Sequence, residues 1–182
     1  MQSYSINTNL GQNKMEIRQA IASDSSVLAD LGATTFYDTF HAFHTKEDMD
    51  AYILSTYSKE AIIQNLQNPK VYYALVYDEK KPVGYLKLIL DKPHEHISGK
   101  TIELEKIYVL KQYRGSQVGK QLMDHALVIA KQHQYEILFL GVWEENHRAV
   151  AFYKKYGFEV FATRTFKLGN NLCDDFIMKL SL

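Results

Sequence analysis

Between Ile102 and His133 the sequence commits the chain to one kind of connection: an apolar strand pattern, a glycine-bearing turn and an amphipathic helix, with no spacer between them. The run Gln112-Tyr113-Arg114-Gly115-Ser116-Gln117-Val118-Gly119 makes the turn. From Gly119 to His133, Leu122, Ala126, Ile129 and Ala130 fall on one side and Lys120, Asp124 and Lys131 on another, the pattern of a helix lying on a core. The first N–H groups of a helix lack intrahelical partners and sit at the positive end of its dipole, so this junction also suits a pyrophosphate. Gly115 permits a tight turn, and Gly119 lets a ligand or the sheet approach the backbone. Arg114 and Lys120 add positive charge, Arg114 through a fork that grips phosphate with two bonds. A plain strand-to-helix loop has many of the same features. The Gly-Lys-Ser/Thr of a P-loop and the full dinucleotide fingerprint are both missing.

The strand before this turn changes phase. Ile102 and Leu104 are apolar on even numbers, Ile107 and Val109 on odd ones. One extra residue near Glu105 or Lys106 puts all four on one face, so a β-bulge is predicted in the strand at 102–110. Burial of the strand on both faces is the alternative.

Around this unit the pattern predicts a mixed α/β sheet flanked by helices. Met15–Ile21 reads as a first strand, followed by a helix capped by Ser23. Helices starting at Thr45 or Lys46 and at Ser58-Lys59-Glu60 form an arm that stops near Pro69. Val71–Tyr77 and Val83–Leu90 pair as a hairpin, and Ile137–Trp143 is a short apolar strand. Asn146 caps a helix whose inner stripe is Ala149, Phe152, Tyr153 and Tyr156. Two closing strands, Phe158–Leu168 and Leu172–Leu180, join through Gly169-Asn170-Asn171.

The 182 residues make one domain, read as residues 14–182 after a flexible polar tail at 1–13. Lysine plus arginine equals aspartate plus glutamate, for a net charge of +0, so no general field draws nucleic acid or an anionic membrane. No run reaches the ~20 apolar residues of a membrane helix. A lone cysteine, Cys173, rules out an internal disulfide framework and fits a cytoplasmic protein. His94 and His96 share the loop at 93–100 without a third ligand, so they read as solvated loop residues and no metal is expected.

With the segments downstream, the turn resembles the acetyl-CoA motif of the GCN5-related N-acetyltransferase (GNAT) superfamily, Gln/Arg-x-x-Gly-x-Gly/Ala, carried here by Arg114-Gly115-Ser116-Gln117-Val118-Gly119. Gln117 stands where the middle glycine is usual. Ile107-Tyr108-Val109 resembles the strand that pairs with the pantetheine arm. Asn146-x-x-Ala149-x-x-Phe152-Tyr153-x-Lys155-x-Gly157-Phe158 resembles the C-terminal motif. Within the superfamily, Thr35-Phe36-Tyr37-Asp38-Thr39-Phe40, Leu104-Glu105-Lys106-Ile107-Tyr108 and Leu140-Gly141-Val142-Trp143-Glu144 resemble PaiA-like spermidine/spermine acetyltransferases.

The resemblance implies a GNAT-like fold, acetyl-CoA as co-substrate, and direct attack by a primary amine, such as spermidine or spermine, in a ternary complex. It implies that Ile107, Tyr108, Val109 and the turn from Arg114 to Lys120 hold the cofactor, with Asn146 on the pantetheine amide and Lys155 toward a CoA phosphate. Tyr153 becomes the acid for the departing thiolate, although periodicity alone assigns it to the core. Glu105 is the candidate base through water, with Glu103 competing. Tyr37, Asp38 and Glu144 are candidate acceptor contacts, since polyamines need carboxylates and aromatic faces. A homodimer is compatible with the sequence. A protein or peptide acceptor, or a non-catalytic CoA-binding regulatory module, are the alternatives.

Overall fold

The computed structural model describes residues 15–168 and 171–182. The tail expected at 1–13 and the Gly169-Asn170 part of the closing turn lie outside the described residues. Seven strands form one sheet: β1 (Met15–Gln19), β2 (Val71–Asp78), β3 (Lys81–Ile89), β4 (Thr101–Val109), β5 (Ile137–Trp143), β6 (Glu159–Leu168) and β7 (Asn171–Ser181), in the order β1-β2-β3-β4-β5-β7-β6. The only parallel neighbours among them are β4 and β5, because the crossover between them is a helix, α4 (Val118–Gln132).

Helices α1 (Ser25–Phe40), α2 (Lys46–Tyr57) and α3 (Lys59–Gln67) precede β2, and α5 (His147–Lys155) follows β5. Each sheet face has its own core. Leu122, Met123 and Ala126 of α4 pack with Ala74, Leu86, Ile102, Leu104 and Leu138. On the other face Leu28 and Phe36 of α1, Met49 of α2 and Ile62 of α3 pack with Tyr73, Leu75 and Tyr85. Each fully buried leucine-sized side chain contributes about 2 kcal/mol.

The caps expected for the helical arm are present. Thr45 accepts a hydrogen bond from the Asp48 N–H and Ser58 from the Ala61 N–H. The first helix begins later than Ser23 indicates. A 3-10 turn at Ala22–Asp24 intervenes. Asp24 accepts from the Ile21 N–H at 2.8 Å and pairs with Arg18 at 2.7 Å, so a strand-to-helix ion pair sets the start of α1.

The bulge lies where the phase change puts it. Lys87 pairs with Lys106 and Leu88 with Leu104, leaving Glu105 as the extra residue. Ile107 and Val109 therefore pack on the same core as Ile102 and Leu104. No helix among the described residues is long and apolar enough to cross a membrane.

Candidate active site

Strands β4 and β5 pair only over Thr101–Glu103 and Ile137–Phe139. Beyond that point they diverge, and the edge of β4 carrying Ile107, Tyr108 and Val109 bonds β3 on one side and has no strand partner toward β5 among the described residues. A V-shaped gap with free backbone groups is thus built into the centre of the sheet. An extended ligand that offers amides would satisfy those groups.

The turn from Gln112 to Lys120 closes one end of the gap. Gly115 has φ +85°, a conformation that side-chain-bearing residues avoid. The Tyr113 hydroxyl donates to Asp78 at 2.8 Å and ties the turn to β2. Ser116 donates to the Tyr113 carbonyl and accepts from the Val118 N–H at 3.3 Å. The N–H groups of Gln117, Gly119 and Lys120 carry no hydrogen bond among the described residues. A Cβ on Gly119 would meet nothing within 4 Å, so the space beside these three donors is open. Gln117 has φ −73°, which any residue adopts, so glutamine in place of the usual glycine leaves the turn intact. These features fit an anionic pyrophosphate, the group the motif implies.

Arg114 and Lys120 are placed apart. The Arg114 guanidinium reaches Thr39 of α1 at 3.1 Å, whereas Lys120 pairs with Asp124 at 2.5 Å. Lys120 also joins Lys155, Phe152 and Tyr156 around a groove of about 360 Å³ between α4 and α5.

On α5 the Asn146 side chain accepts from the Ala149 N–H at 3.2 Å, capping the helix and leaving its amide N–H₂ group unpaired among the described residues. The Tyr153 ring is buried against Phe152 and Phe158, while its hydroxyl has no hydrogen bond among the described residues. Burial pushes its phenol well above the ordinary tyrosine range. The ring therefore packs in the core, as its periodicity indicates, while the phenol keeps its proton.

A second cavity of about 210 Å³ opens beside Asn146, between Arg114, Asp38 and Thr39 on one side and Trp143 and Glu145 on the other. Phe43 completes it and meets the Trp143 ring edge-on at 4.7 Å. Of the expected acceptor contacts, Asp38 lines this cavity. Tyr37 is exposed and stacked on His41. The Glu144 N–H is taken by the Asp174 carbonyl, and it is the neighbouring Glu145 that lines the cavity. No local sequence pattern marks Phe43 or Glu145 for this cavity. Only the Trp143-Glu144 pair within the resemblance pointed to this end of β5.

Glu105, at the bulge, accepts from Lys87 at 2.9 Å and lies 3.7 Å from Lys106. Lys87 is itself buried beneath the Tyr73 ring. Glu103, one pleat earlier on the same face, is 7% exposed. Burial first, and the charge of Glu105 second, raise its carboxyl above the usual range. The bulge thus gathers two carboxylates of different character: one clamped by cations, the other without an ion pair or hydrogen bond among the described residues.

Comparison with known proteins places this geometry among relatives. The acetyltransferase (GNAT) family pattern matches residues 33–158. An uncharacterized N-acetyltransferase of Lactobacillus delbrueckii subsp. lactis is 29% identical over 169 residues, which cover 92% of this chain and 98% of the relative. The spermidine N(1)-acetyltransferase of Thermoplasma acidophilum is 24% identical over 150 residues, or 80% of this chain and 89% of the relative. Among solved structures, the PaiA N-acetyltransferase of T. acidophilum in complex with coenzyme A has a TM-score of 0.77 at 24% identity, covering 92% of this chain and 99% of that one.

Proposed function

Since the chain belongs to the GNAT acetyltransferase family and is an N-acetyltransferase that uses acetyl-CoA, we propose that its acceptor is a small primary amine, a polyamine such as spermidine or spermine, attacked directly in a ternary complex. The observation that carries this reading is the gap between β4 and β5, which ends at three helix N–H groups without partners among the described residues. Spermidine acetylation by the T. acidophilum relative supports the polyamine class, as do Asp38, Glu145, Trp143 and Phe43 around the second cavity.

Acetyl-CoA supplies the acetyl group as a thioester. The free edge at Ile107, Tyr108 and Val109 would hold the amides of its pantetheine arm, aided by the unpaired amide of Asn146. The N–H groups of Gln117, Gly119 and Lys120 would hold its pyrophosphate, and Lys155 and Lys120 its more distant phosphates. Arg114, turned toward Thr39, guards the acceptor side in this reading. Holding both reactants in attack geometry is the largest contribution such a site makes.

Glu105 acts as base through water. Its ion pairs keep the carboxylate fixed at the bulge, facing the side from which an amine enters. Tyr153 donates to the sulfur as negative charge develops there. A phenol held above its ordinary range keeps its proton at neutral pH, so it is present as a donor when the sulfur takes up negative charge.

Competition between spermidine and lysine-bearing peptides for a single acetyl-CoA assay tests the acceptor class. Preferential acetylation of spermidine is expected. Acetylation of peptides with spermidine untouched would replace the polyamine reading by a protein acceptor.

A further inference from the structure

On the acceptor face, beyond Glu105, two opposite charges meet over a glycine. Register pairs Trp143 of β5 with Asp175 of β7, and Asp175 with Arg164 of β6, so these three side chains leave the same face of the sheet. A Cβ on Gly141 would lie 2.6 Å from the Arg164 guanidinium and 3.6 Å from the Asp175 carboxylate. The guanidinium therefore occupies the space that a side chain on β5 would fill.

It is loosely held there. Its contact with Asp175 spans 3.4 Å, and the Arg164 side chain is 52% exposed against 13% for Asp175. Glu103 pairs with Phe139 of β5 and shares this face. It is buried, unpartnered among the described residues, and within electrostatic reach of Arg164. Lys92 also acts on Glu103 from the loop after β3, while Lys87 and Lys106 are engaged by Glu105. One buried carboxylate, Glu103, and one partly buried carboxylate, Asp175, thus share one half-exposed cation. A buried carboxylate without a close partner is costly: Glu103 is reached at longer range by Arg164, Lys92 and Lys87, and Asp175 by one 3.4 Å contact with a half-exposed guanidinium.

We propose that Glu103 and Asp175 form a subsite for a second, non-reacting ammonium of the acceptor, and that Arg164 is the internal cation this ammonium displaces. The inference rests on the amine reading above and sharpens it: the acceptor carries two separated ammonium groups, one placed for reaction and one held over Gly141. Trp143 borders the path between them and offers a ring face to the alkyl chain or the cation. A monoamine leaves Arg164 in place.

The test compares cadaverine with pentylamine, a diamine and a monoamine of equal chain length, in the wild type, Asp175→Asn and Arg164→Gln. Asp175→Asn should lower the cadaverine-to-pentylamine ratio of kcat/KM about tenfold, the size of one lost hydrogen bond to a charged group. Arg164→Gln should raise that ratio, because the competitor is gone. KM for acetyl-CoA should stay unchanged in both, and Asp175→Glu should restore part of the ratio. A merely structural ion pair predicts that both variants shift in the same direction; that result, or an unmoved ratio, overturns the proposal. Turnover of neither amine would instead sink the amine reading. Calorimetric titration of cadaverine into the enzyme with CoA then decides the subsite alone: binding weakened by Asp175→Asn and tightened by Arg164→Gln supports it, and no binding overturns it.

Discussion

Replacing Gly119 by alanine should move stability and ligand affinity in opposite directions. Gly119 is the second residue of α4, its φ is not positive, and its added Cβ meets nothing within 4 Å. Alanine there restricts the unfolded chain and favours the helix, which stabilises by about 0.5–1 kcal/mol. For a chain of this size that raises Tm by roughly 1–4 °C. The same methyl group projects into the open space beside the N–H groups of Gln117, Gly119 and Lys120. If that space receives a pyrophosphate, loss of one charge-assisted hydrogen bond weakens CoA binding about tenfold or more. Gly115→Ala provides the contrast. Its nearest neighbour would be Arg148 at 3.8 Å, so sterics are mild, but φ +85° costs a side-chain-bearing residue about 1–2 kcal/mol, and Tm should fall. Differential scanning calorimetry and isothermal titration with CoA measure both quantities. Wild-type affinity in Gly119→Ala would refute the phosphate role of this turn, and a lower Tm would refute the account of its surroundings.

Tyr153→Phe should reduce kcat about 10²-fold and leave CoA affinity and Tm unchanged, since the hydroxyl has no partner to orphan among the described residues; equal turnover would remove Tyr153 from the chemistry. Glu103→Gln should change the pH dependence of stability. Burial raises the Glu103 carboxyl in the folded protein, so the native state binds more protons than the unfolded one above the ordinary carboxyl range. Stability is then lost as pH rises through the shifted range. The variant should have the higher Tm at neutral pH, with its advantage gone in acid; an advantage that persists in acid contradicts the sign.

Elements governed by local pattern were legible in the sequence. The phase change between Leu104 and Ile107 marked the bulge at Glu105 because side chains in a strand alternate with period two. Thr45, Ser58 and Asn146 declared their helices because capping is a contact between near neighbours. Ser23 misled as a cap because the start of α1 is set by Arg18 and Asp24, an ion pair between strand and helix that propensity does not see. The cleft was less legible for the same reason. Arg114 sits in a phosphate-like motif, yet its guanidinium reaches Thr39, 75 positions earlier in the chain. Glu145 rather than Glu144 lines the cavity because the end of β5 is held by the Asp174 carbonyl. Arg164 and Asp175 look like two charges on an exposed hairpin. Only the order β5-β7-β6 carries them over Gly141 and beside Glu103.

The account turns on whether an amine is acetylated from acetyl-CoA in the gap between β4 and β5. The most direct measurement is initial-rate kinetics with acetyl-CoA and spermidine varied together, following thiol release and detecting the acetylated amine by mass spectrometry. Intersecting double-reciprocal lines and one acetyl group on spermidine are the predicted result. A folded protein that binds CoA yet releases no thiol with any amine would contradict it, and parallel lines would contradict direct attack in a ternary complex.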